Sequence, residues 1–186
     1  IRAKAPAVHH WIGRIYVLAA LAAGVGGLTF IAMKGTVGGL AMDIAFAAYG
    51  ALMVLAAVQT VRHAMARRIE IHRAWAIRLF ALAIGSWLYR IGYGLFFVFA
   101  GPDNPGHIEA DFSGWFDHVM NWAFFVPPLI VAELYIRARR GEGSAVGRLG
   151  AAAALTISAA FVGYSTFFFT LYGWGPAIAM RFGGGA

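Results

Sequence analysis

The chain has no cysteine. Disulfides, thiolate-held zinc and iron–sulfur clusters are therefore excluded. Charge is scarce too: 12% of the 186 residues are Asp, Glu, Lys or Arg, about half of the ~25% usual in a soluble domain. That leaves too little polar surface to cover a water-soluble globule. Acids are the rarer sign, 8 against 15 Lys and Arg, for a formal charge of +7. In a soluble protein this surplus would suggest a nucleic-acid partner. Here the basic residues lie between apolar runs, so anionic lipid headgroups are the expected counter-charge and no nucleic-acid partner is expected. The chain has no internal repeat and no low-complexity linker. It also lacks a Gly-x-Ser-x-Gly elbow, a His-Glu-x-x-His pair and a phosphate-cradling glycine loop. A soluble-type catalytic site is therefore not expected.

The chain is rich in long apolar runs, with 61% hydrophobic residues and a mean hydropathy of +0.71. Five spans can be drawn, at residues 11–33, 40–61, 77–100, 115–136 and 149–171. Each is roughly 20 residues, which at about 1.5 Å per residue crosses a hydrocarbon core of about 30 Å. Backbone groups find no water there, so the expected fold is all-α, a polytopic transmembrane bundle forming one domain over 1–186. Lys34–Gly39 and Gly141–Gly147 read as tight glycine-rich turns, and 62–73 as a basic connection continuing as helix. The stretch 101–111 is a true loop with two prolines and three acids. The first residue is Ile1 rather than Met, which leaves room for one further N-terminal span.

Charge sets the orientation. Arg2, Lys4, Arg14, Arg62, Arg67, Arg68, Arg73, Arg78, Arg137, Arg139, Arg140 and Arg148 fall on one side, 12 of the 15 basic residues. The positive-inside rule makes that side cytoplasmic. Small residues on span 1 (Ala20, Ala23, Gly24, Gly27) and span 5 (Ala152, Ala159, Ala160, Gly163) are expected to bring helices close together. Pro127-Pro128 predicts a kink in span 4.

Four groups of residues could carry chemistry. Arg90 lies 12 residues past Arg78, roughly 18 Å along a helix, near the middle of the membrane. An arginine there is costly unless paired, so it is expected to face the bundle and meet Asp117; it could instead hold an anionic cofactor, quinone or lipid head. His9, His10, His63 and His72 all fall at basic ends of spans. Facing imidazoles can ligate haem b, with Arg14, Arg73 and Arg78 near the propionates; the same residues equally suit lipid phosphates. His107, Glu109, Asp111, Asp117 and His118 offer oxygen and imidazole donors of the kind that hold a divalent metal, or simply a solvated loop. Glu133 is expected to pair with Arg137 one turn on.

Two segments carry a resemblance. His9-His10-Trp11-Ile12-Gly13-Arg14-Ile15-Tyr16-Val17 and His72-Arg73-Ala74-Trp75-Ala76-Ile77-Arg78, with Arg90 downstream, resemble the paired signatures of the DUF2306 family over roughly residues 5–135. The resemblance implies a bacterial multi-pass protein of the inner membrane, of unassigned activity, whose relatives usually carry one more helix ahead of the first motif. The first motif is also loosely similar to the histidine-bearing helix of cytochrome b561-type proteins. Three functions are compatible with the whole. The first is a non-catalytic accessory subunit packed among other membrane subunits of a respiratory or photosynthetic complex. The second is a haem b electron carrier using His9, His10, His63, His72, Arg14, Arg78 and Arg90. The third is a small transporter or lipid-binding protein using Arg90 and the Pro127 kink.

Overall fold

The computed structural model describes residues 5–101, 103–141 and 144–183, which form helices joined by turns and one loop, with no strand among them. Five helical stretches are long and apolar enough to cross a membrane, as expected. Arg2 and Lys4 of the basic count, Pro102 of the loop and Glu142-Gly143 of the last turn lie outside the described residues.

Helix α1 runs Pro6–Lys34 and α2 Gly39–Met65. Pro6 opens α1 at the one position where its missing N–H costs nothing. The turn between the two helices is closed by Asp43, whose Oδ1 accepts from the Thr36 N–H at 2.6 Å. Lower down, the helices meet glycine to glycine. A Cβ on Gly24 would stand 2.9 Å from Val54 Cγ2 and 3.2 Å from the Gly50 carbonyl. Ala20 and Gly24 are buried in this seam, while Ala23 and Gly27 are exposed.

The third span is two helices, α3 (Ile69–Ala83) and α4 (Gly85–Ala100), and the fourth is α5 (Trp115–Ala123) followed by α6 (Val126–Arg139). The basic connection expected to be helical instead turns at 66–68, with Arg67 in the left-handed region at φ 56. The fifth span is α7 (Ala145–Phe169), a π-helical turn (Thr170–Trp174) and α8 (Gly175–Gly183). Pro176 sits just past that turn, and the Gly175 N–H reaches back to Thr170, a wide turn of the kind that relieves a helix near a proline.

The elements pack in chain order, α1 on α2 and α2 on α3, with α3 against α6 and α7 against both α6 and α4. The core collects Met53, Ala57, Leu79, Leu82, Phe124 and Phe125 where α2, α3 and the fourth span meet. The outer spans contribute little to it. Only 17% of the α1 window and 6% of the last span's window are buried, against 33% for α2. The small residues of α7 also point the other way from expectation. Ala152, Ala159, Ala160 and Gly163 are exposed, and Ala151 and Ser165 are the buried ones. Small side chains bring helices together only on the face that meets a neighbour, and α7 meets the bundle on a different face.

Candidate functional site

Two helix breaks touch near the middle of the bundle, and each has its own cause. In the fourth span, Pro127 and Pro128 lack the N–H groups that would bond the carbonyls of Ala123 and Phe124, and their rings clash there. The helix therefore turns at Phe124-Phe125 and its ladder resumes with Leu129 N–H on the Phe125 carbonyl at 3.2 Å. In the third span, α3 stops at Ala83 and Ile84 takes ψ −9. The Trp87 N–H bonds the Ile84 carbonyl at 3.0 Å, a tight turn. Gly85-Ser86 follows, and such Gly/Ser pairs are recognised kink sites. A Cβ on Gly85 would lie 3.2 Å from Phe124 Cδ2 and 3.3 Å from Tyr49 Cε2, so any larger residue would require these rings to give by a few tenths of an ångström. Tyr49 completes the junction by donating its hydroxyl to the Leu82 carbonyl at 2.9 Å. Interrupted backbone at this depth is tolerated only against protein or a cavity, and here both are present.

One cavity, of about 380 Å³, lies on the basic side of the break among Leu52, Leu55, Trp75, Leu129, Arg78 and Glu133. Its lining is apolar except for the last two. Arg78 on α3 donates to Glu133 Oε2 on α6 through Nε at 3.1 Å and Nη2 at 2.6 Å. The guanidinium also lies over the Trp75 ring, 4.9 Å from its centre. Arg137 reaches Glu133 Oε1 at 3.5 Å. The expected Glu133–Arg137 contact is thus present, but Arg78 is the nearer partner. The pair is half-open, with side-chain exposures of 22% and 36%, so it is both a clamp between α3 and α6 and an accessible polar group.

A second cavity, of about 370 Å³, runs between α1 and α2 and ends at the break, with Tyr16, Gly27, Ile31, Phe46 and Ser86 in its wall. Arg90, one turn beyond Ser86, donates from Nη1 to the Ser86 carbonyl at 3.0 Å and is exposed. The expected Arg90–Asp117 pair does not form. Tyr89 and Tyr93 share the face of α4 that meets the fourth span, and Arg90, one residue on from Tyr89, is turned about 100° away from it.

Asp117 is fully buried and its carboxylate is fully used. Oδ1 accepts from the Tyr93 hydroxyl at 2.6 Å and from His107 Nδ1 at 2.7 Å. Oδ2 accepts from the backbone N–H groups of Gly114 at 3.0 Å and Ile108 at 3.1 Å. Tyr89 extends the chain by donating to the Tyr93 hydroxyl at 3.3 Å. This clasp pins the loop to α4 and α5. Of the proposed metal set, only His107 and Asp117 come together. Glu109, Asp111 and His118 are exposed, and no group of three or more histidine or acid side chains suited to a metal occurs among the described residues.

The histidines at the basic end are placed as follows. His9 and His10 are neighbours on α1, ring centres 6.0 Å apart. His72 Nδ1 donates to the Thr60 carbonyl on α2 at 2.9 Å, and His63 Nδ1 is buried with no hydrogen-bond partner. Arg14 lies 5.5 Å from the Trp11 ring centre. Of the three arginines the sequence set beside these histidines, Arg78 is bonded to Glu133 and Arg73 lies 3.3 Å from Glu70 at the surface. Sequence reasoning missed the break in the third span and the Arg78–Glu133 pair. The Gly85-Ser86 step was the available signal for the first.

The sequence model of a family described as predicted membrane proteins, DUF2306, matches residues 1–136. No curated protein and no solved structure matches the chain.

Proposed function

The chain belongs to the DUF2306 family of predicted membrane proteins, and from that premise we propose that it is a lipid-binding protein of the bacterial inner membrane, its basic end in the cytoplasm. The supporting observation is the cavity beside the doubled break, with an apolar wall and one ion pair. Interrupted helices near mid-membrane commonly mark substrate sites, and ligand sites are typically apolar with a few fixed polar groups. The Arg78–Glu133 pair offers both signs side by side. That complements a head carrying phosphate and amine together, with a chain lying along Leu52, Leu55 and Leu129. A transporter that moves such a lipid would need the same site.

Native mass spectrometry of the full chain with phosphatidylethanolamine or phosphatidylglycerol tests this. Phosphatidylethanolamine should be retained preferentially, and the charge-removing double change Arg78→Gln with Glu133→Gln should abolish the preference. Equal retention of both lipids by the native chain would overturn the reading.

A second reading, an accessory subunit of a larger assembly, is supported by the outward small-residue face of α7. Large side chains introduced at Ala159 and Gly163 should then release a partner from mild-detergent complexes. Release of nothing would count against it.

A further inference from the structure

Arg90 has no ion-pair partner among the described residues and lies in the wrong place for water. It lies five residues past the break and ten before the end of α4, roughly 7 Å and 15 Å along the axis. An arginine nearer a helix end can snorkel to its interface. This one reaches the other way, since its Nη1 bonds the Ser86 carbonyl, back toward the break. Its remaining N–H groups have no bond within the described residues, and no carboxylate lies within ion-pair distance there. Asp117 is spent on the loop, and Asp43 bonds the Thr36 N–H. An exposed guanidinium held within the apolar span needs a counter-charge from outside these residues.

The second cavity lies beside it, since Ser86 belongs to both. The groove extends along α1 from Tyr16 to Ile31, about 22 Å, wide because Ala23 and Gly27 leave it open. We propose that Arg90 and this groove form a binding site for a single-chain amphiphile with an anionic head. A carboxylate or phosphate would take two parallel N–H bonds from the guanidinium, and the chain would fill the slot between α1 and α2. This site is separate from the Arg78–Glu133 cavity and does not depend on it.

The test uses the full chain in a neutral detergent, titrated with palmitate, with lysophosphatidate and with hexadecanol, which has the same chain length as palmitate and a neutral head. Palmitate should bind one to one, and at least tenfold more tightly than hexadecanol. Lysophosphatidate binding as well would assign the recognition to the charge, and its failure would restrict the site to carboxylates. Arg90→Gln should weaken palmitate at least tenfold and leave hexadecanol unchanged. Gly27→Leu provides an independent arm. A Cβ there meets nothing within 4 Å, so the fold accepts it, while the added side chain occupies the groove and should weaken both ligands. Equal binding of palmitate and hexadecanol, or palmitate binding unaffected by both Arg90→Gln and Gly27→Leu, would overturn the proposal.

Discussion

Asp117→Asn isolates the charge of the clasp with almost no change in shape. Four donors converge on the native carboxylate, at 2.6, 2.7, 3.0 and 3.1 Å. Asparagine presents one acceptor oxygen and one NH₂ group. The backbone N–H groups of Ile108 and Gly114 cannot turn round, so the amide oxygen must face them. The NH₂ then faces Tyr93 and His107. Both can adapt, the hydroxyl by rotating and the imidazole by moving its proton to Nε2. All four contacts survive but lose the charge-assisted share, about 1 kcal/mol each, which sums to roughly 4 kcal/mol. Hydrogen bonds inside membranes average nearer ~0.6 kcal/mol, because the unfolded chain in the bilayer also finds partners. That sets a floor of roughly 2 kcal/mol. Thermal unfolding in detergent, read by tryptophan fluorescence, should therefore shift down clearly for Asp117→Asn. Asp117→Ala strands all four donors and should shift further, with faster proteolysis within 103–114. An Asp117→Asn protein as stable as the native one would refute the reasoning, since it would mean that the carboxylate is not ionised or that its bonds are not made.

Two further outcomes follow from the same geometry. Tyr49→Phe removes the hydroxyl bond to the Leu82 carbonyl at the break and should cost about 1 kcal/mol; thermal unfolding in detergent would check it, and an unchanged midpoint would mean that the bond adds nothing there. A reduced-minus-oxidised spectrum of the purified chain, with a pyridine haemochrome assay, decides the haem b reading of the histidines: a stoichiometric b-type signal lost in His72→Ala would establish it, and a flat spectrum from folded protein would refute it.

The number of spans was legible because hydropathy reports directly which segments leave water. Their ends were less so: α2 and α6 run past the apolar stretch into arginines, which lie along the helix end and keep their charge in water. The proline break was legible because a missing N–H has only one consequence in a helix. The partner break at Ile84 was not, since a Gly-Ser step is ordinary until an aromatic pair, Tyr49 and Phe124, closes on it. Arg90 shows a further limit. Depth can be counted along a sequence, but the face a residue takes depends on which neighbours, here Tyr89 and Tyr93, occupy the inner side first. The small residues of α7 failed for the same reason.

The shallow seating of α7 also bears on how the molecule is assembled and how it could vary. The family match ends at residue 136, close to the end of α6, and the last span adds little to the core. The first four spans hold both cavities and the clasp. The fifth span therefore stands as an outer stave, joined to the rest through its contacts with α4 and α6 and leaving most of its surface turned away from what the other four enclose.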